Sequence, residues 1–205
     1  MALFLKALAF GFVLAAAVGP MWVLCFRRSV AAGALAGFVS GLGIALADGV
    51  YAAVAAFGLS AVSGFLLGQH SWLALLGGAF LVWLGAKALL AAPAPLDAPE
   101  RAVPSARGLG TAFLSTFGLT LVNPPTILAF VAIFTALGLA ASADYAAAAL
   151  AVLGVFVGSA CWWLILALGA GWLRARLGAR LTRAVNTLSG LLMLGFAAWQ
   201  IAPLL

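Results

Sequence analysis

In this chain of 205 residues, 67% are hydrophobic and 7% charged, whereas soluble domains run at roughly 45–50% apolar and 25% charged. A mean hydropathy of +1.26 excludes a water-soluble monomer, which has nowhere to hide that surface, and excludes a disordered chain. The formal net charge of +6 does not point to nucleic acid, because the basic residues fall in short stretches between apolar runs, where they report membrane orientation.

A membrane span takes about 20 mostly apolar residues, and six such runs follow one another. Residues 3–26 form the first, apolar apart from Lys6 and ended by Arg27-Arg28. This run is too long for a secretory leader and lacks a small-residue cleavage site, so it is expected to be retained. Residues 32–59 form the second run, interrupted only by Asp48, and a polar patch at Gly68-Gln69-His70-Ser71 follows. Residues 72–92 form the third, with Lys87 near its end. The stretch 93–107 holds prolines, acids and arginines and reads as a solvated linker. Residues 108–140 form a long fourth run, broken at Asn123-Pro124-Pro125; after a turn at 141–144, residues 145–172 form the fifth. An arginine-rich loop, 173–183, precedes the sixth run, 184–204. The positive residues follow runs one, three and five, which places those exits in the cytoplasm and both termini outside; Lys6 argues against an outside N-terminus, and one re-entrant or split segment would move it inside. Trp72, Trp172 and Trp199 fall near predicted span ends, as an aromatic belt requires, while Trp22, Trp83, Trp162 and Trp163 lie deeper. Cys25 and Cys161 sit inside apolar runs without CxxC or metal-ligand spacing and read as small buried hydrophobes.

The predicted fold is therefore all-α: a polytopic membrane protein of six transmembrane helices in one domain, 1–205. It is organised as two inverted three-helix repeats, 1–92 and 108–205, joined by a cytoplasmic linker, 93–107. The first helix of each repeat is broken at a matching place, Gly19-Pro20 in one and Asn123-Pro124-Pro125 in the other. Three spans per repeat invert the second against the first, a pattern that brings discontinuous helices together near mid-membrane. Asn is a strong N-cap and Pro favours the first helical position. Asn123-Pro124, and less strongly Gly19-Pro20, thus read as helix starts whose free N–H groups and positive dipole end suit a carboxylate. A plain proline kink is the alternative.

Asp48 is the only acid well inside a run, and an intramembrane acid faces a cavity or a partner. Low dielectric disfavours its charged form, so it is suited to taking up and releasing a proton; binding a substrate ammonium is a compatible role. Gly33, Gly37, Gly41, Ala45 and Gly49 form a small-residue ladder on the same helix, which admits a close neighbour. Asp48 lies beside that ladder and so points to protein. In the sixth run Asn186, Ser189 and Gly190 share a face suited to interhelical hydrogen bonding. His70 reads as a surface residue.

The chain resembles the LysE/RhtB family of amino-acid exporters. The resemblance rests on Gly19-Pro20, the glycine-rich second run through Ala47-Asp48, residues 75–85 (LLGGAFLVWLG), Leu121-Val122-Asn123-Pro124, and Val185-Asn186 through Ser189-Gly190. It implies a multi-pass plasma (inner) membrane exporter of an amino acid or related small zwitterionic metabolite, driven by proton antiport, in contact with lipid and acting as a homodimer. Substrate would bind at Gly19, Pro20, Asn123, Pro124 and Asn186, with Asp48 coupling the proton. Pro125 stands where many relatives carry Lys, and residues 126–130 hold no acid, so a neutral cargo fits better than Lys or Arg. No enzyme chemistry, cofactor, metal or nucleic-acid partner is expected. The competing readings are a divalent-cation exporter, for which one Asp offers too few ligands, and a transmembrane thiol-redox relay, for which the cysteines lack activating contexts.

Overall fold

The computed structural model describes residues 2–56, 70–90, 105–123, 126, 130 and 145–202. Six helices run through them: α1 (Ala2–Ala16), α2 (Pro20–Ala32), α3 (Ala34–Ala56), α4 (His70–Leu89), α5 (Ala106–Leu121) and α6 (Tyr145–Ile201). By length and composition, α3 and the stretch Tyr145–Leu173 of α6 are each able to cross a membrane, and α1 with α2 make a third such length if counted as one bent span.

The first run breaks where the sequence predicts. α1 ends at Ala16, and α2 begins after Gly19 with Pro20 in its first turn. The two axes meet at 77°, because Pro20 has no N–H to continue the ladder and fits only a helix start. The run does not end at Arg27-Arg28, however. Both arginines are inside α2, which continues to Ala32. Their guanidinium groups find acceptors on neighbouring helices, so the pair is half-buried rather than looped out. Gly33 alone then joins α2 to α3, at φ 95°, a backbone region that side chains resist.

A second departure lies in α6. Helical backbone continues through 173–183, where the sequence predicts a loop. Trp163 and Trp199 nevertheless line one cavity. Thirty-six residues of straight helix would separate them by roughly 54 Å, so the axis turns back and α6 has two arms. The N-terminal boundary of α5 is set by Ser105, whose Oγ accepts from the Gly108 N–H at 3.2 Å. At the other end, α5 stops at Leu121 and Asn123 lies beyond its cap. Pro124, Pro125, the rest of the fourth run except Thr126 and Phe130, and most of the 93–107 linker lie outside the described residues.

Small residues set how closely the helices pack. A Cβ added at Gly158 would lie 2.0 Å from the Leu8 carbonyl oxygen, and one at Gly11 would lie 2.2 Å from that of Val155, so α1 and the first arm of α6 touch backbone to backbone. The α3 ladder serves two neighbours: Gly37 admits Ser29 of α2, while Gly41 and Gly49 admit Trp163 and Phe156 of α6. The second arm of α6 packs on α4, with Gly85 and Gly190 against each other. Two apolar clusters result. One gathers Leu24, Cys25, Ile44, Leu81, Trp163 and Met193 from α2, α3, α4 and both arms of α6. The other gathers Ala7, Tyr51, Ala52, Phe130, Ala151 and Val155. Cys161, expected to be buried, is exposed on the outer side of α6; Cys25 is fully buried.

Candidate functional site

A cavity of about 300 Å³ lies where the α1–α2 break meets α3, α5 and both arms of α6. Its wall includes Gly19 and Pro20 from the break, Asp48 from α3, and Thr120, Asn123 and Thr126 from the end of α5 and beyond. The rest is apolar, with Met21, Ile44, Trp163, Phe196 and Trp199 prominent. Among the described residues no Lys or Arg lines it, and Asp48 is its only ionisable group. The volume holds one small molecule, at the lower end of the range for ligand cavities.

Asp48 reaches this wall because it stands on the flank of the small-residue ladder that seats α3 against α6. It is 3% exposed. Its Oδ2 accepts a hydrogen bond from the Ser159 Oγ at 2.7 Å, and Ser159 Oγ in turn accepts from the Trp163 Nε1–H at 3.2 Å. A three-residue relay thus orients the carboxyl group. Ser159 is not a residue the sequence reading singled out. The available signal was Gly154-x-x-x-Gly158 immediately before it, since that motif lets α1 approach and fixes which way the next residue faces.

At the break, the Val23 N–H bonds the Gly19 carbonyl at 3.1 Å, the first bond of α2. The N–H groups of Met21 and Trp22 have no acceptor within the helix, as expected at a helix start. Gly19 itself has open space around it. Elsewhere in the wall the Asn123 Nδ2 donates to Thr126 Oγ1 at 2.9 Å, and the Thr126 N–H bonds the Asn123 carbonyl at 3.1 Å. This local turn takes the chain off the end of α5. Tyr51, one turn beyond Asp48, donates its hydroxyl to the Leu121 carbonyl and ties the last turn of α5 to α3.

The structure therefore brings Gly19, Pro20, Asp48 and Asn123 to one cavity. Pro124 is outside the described residues. Asn186 is not in this wall: its Oδ1 accepts from Arg27 Nε at 3.1 Å at the far end of α2. Its place is an interhelical hydrogen bond. Among the described residues no three His, Cys, Asp or Glu side chains gather at metal-binding distance. The two cysteines are free, one buried in the core and one on the outer surface.

The chain matches the model of the LysE type translocator family over residues 12–201 and belongs to that family. It is thus a membrane-embedded translocator. It is 29% identical to the "Putative amino acid efflux protein YcgF" of Bacillus subtilis (strain 168), over 96% of this chain and 93% of that one. It is 28% identical to the "Chemotactic transduction protein ChpE" of Pseudomonas aeruginosa, over the full length of both. No solved structure matches it significantly.

Proposed function

We propose that the protein is a secondary active exporter in the plasma membrane, moving an amino acid or related small zwitterion outward in exchange for protons. The observation that carries this reading is the shared cavity: one ionisable carboxyl group faces a helix start with free N–H groups. The substrate carboxylate binds at the N–H groups after Gly19-Pro20, with Asn123 in the same wall. The ionised Asp48 takes the substrate ammonium, and a proton on Asp48 displaces it. Proton and substrate therefore occupy the site in alternation, which is the condition for antiport. The efflux activity in the name of YcgF agrees with the outward direction. With a single carboxylate and no cation in the described wall, a cargo of one carboxylate and one ammonium is matched and a further charge is not.

The helices are arranged as six spans in two inverted repeats. The α1–α2 pair and the chain around Asn123 are the two broken members, and α2, α3 and α5 run so that Arg27, Arg28 and Arg107 share the cytoplasmic end. The break at Gly19-Pro20 and the helix end before Asn123, both in the wall of one cavity, support this arrangement.

Counterflow in proteoliposomes tests the coupling. The wild type should drive uptake of labelled amino acid in response to a pH gradient. Asp48→Asn, which keeps the shape and removes the titrating group, should lose that response. Full pH-driven transport by Asp48→Asn refutes the coupling role.

A further inference from the structure

The cavity sits at the top of three matched layers. Pro20 on α2, Asp48 on α3 and Thr120 on α5 belong to its wall. Four residues further along each helix are Leu24, Ile44 and Thr116, all buried; Ile44 still touches the cavity and forms its floor, while Leu24 and Thr116 lie beyond the wall. Four residues further still are Arg28, Ser40 and Ala112. Each step is about 6 Å of helix, so the third layer lies roughly 12 Å from the cavity.

Arg28 binds that third layer together. Its Nη1 donates to Ser40 Oγ at 3.0 Å and to the Ala112 carbonyl at 2.9 Å. Its Nη2 donates to Ser115 Oγ at 2.8 Å. One side chain of α2 thus holds α3 and α5, while neighbouring Arg27 holds the second arm of α6 through Asn186. The middle layer is tied to the third by Thr116 Oγ1, which donates to the Ser40 carbonyl at 2.7 Å. Among the described residues the acceptors of the two guanidinium groups are neutral oxygens, so the fastening is charge-assisted without an ion pair. The helix carrying the arginines is a 13-residue rod with a glycine at each end, Gly19 beside the bend and Gly33 at φ 95°. A rod with two such ends can swing as a unit.

We propose that Arg28 is the positioning residue of an inner gate: it holds α2 against α3 and α5 so that Leu24, Ile44 and Thr116 seal the cavity from the cytoplasm. Loading substrate from inside then requires the Arg28 bonds to break and α2 to swing, with the guanidinium rehydrated at the membrane surface. This inference rests on the exporter reading for its direction, because only a carrier that loads from the cytoplasm needs an opening on the arginine side.

Cys25 is a built-in reporter. It lies on α2 between Pro20 and Arg28 and is fully buried, so a reagent reaches its thiol only when the seal opens. The experiment uses a Cys161→Ser background, which removes the exposed thiol. Alkylation of Cys25 by a charged, membrane-impermeant maleimide is timed in inside-out and right-side-out vesicles. Arg28→Met keeps the apolar stem and deletes every donor. Loss of three charge-assisted bonds should raise the alkylation rate from the cytoplasmic side at least about tenfold, with no rise from the other side. Ser115→Ala removes one acceptor from an intact guanidinium and should give a smaller rise of the same sidedness, so the test survives if Arg28→Met fails to fold. Unchanged rates in both variants, or equal rises from both sides, overturn the gate. The measurement needs no substrate: a sided rise in a protein that moves no amino acid would overturn the exporter reading and leave the seal standing.

Discussion

The contact between α1 and α6 sets a stringent test, because it rests on the absence of a single carbon. A methyl group placed on Gly158 would lie 2.0 Å from the Leu8 carbonyl oxygen and 2.9 Å from the Phe12 nitrogen. Both are backbone atoms, so no side chain can rotate aside. Ordinary contact begins near 3.4 Å, which means that α1 and α6 must part by more than 1 Å. A gap of that size forfeits at least about half of the dispersion energy of the atoms facing it. The neighbouring close approaches at Gly11 and Gly154 loosen with it. Overpacking of this kind costs about 1–3 kcal/mol, and for a chain of this length 2 kcal/mol corresponds to roughly 4–8 °C in melting temperature. Ser159 is the next residue, so the shift also pulls on its 2.7 Å bond to Asp48. Gly158→Ala should therefore melt several degrees low, followed by the fluorescence of the seven tryptophans in detergent, and should transport poorly. Gly118→Ala is the matched control. It is also helical but has nothing within 4 Å, and alanine in place of glycine gains up to about 1 kcal/mol in a helix interior. A Gly158→Ala protein that melts with the wild type while Gly118→Ala melts below it would refute the reasoning.

Gly33→Ala forces a side chain into a backbone region costing of order 1–3 kcal/mol. It should lower the melting temperature and, since Gly33 is one end of the α2 rod, slow transport; a thermal scan beside an exchange assay checks both. Trp163→Phe and Trp162→Phe should differ although the residues are neighbours. Trp163 donates to Ser159, whereas the buried Trp162 Nε1 has no hydrogen-bond partner among the described residues. Removing the donor should cost about 0.5–1.5 kcal/mol at 163, while at 162 the loss of an unsatisfied N–H offsets part of the lost packing. Paired melting curves decide this, and a larger loss at 162 contradicts it.

Local chemistry was enough to read off the membrane environment, the helical class, the break at Gly19-Pro20, the interruption at Asn123, and the burial of Asp48 beside a glycine ladder. Each follows from local chemistry: apolar length, the missing N–H of proline, and the price of an isolated charge in hydrocarbon. Residues whose role depends on a distant partner were illegible. Arg27-Arg28 reads in one dimension as the hydrophilic end of a span. Only the approach of Ser40, Ala112, Ser115 and Asn186 turns it into a helical, half-buried fastening. Asn186 serves that fastening and lies outside the cavity wall. Ser159 gains meaning only because Gly154 and Gly158 bring α1 close and leave the hydroxyl facing Asp48. Residues 173–183 read as a loop in the sequence, but the backbone turns there while keeping its helical course. Hydropathy and proline act over one or two turns of chain. Hydrogen bonds spanning 84 or 111 residues exist only after packing has chosen which faces meet, and the tertiary structure alone made that choice.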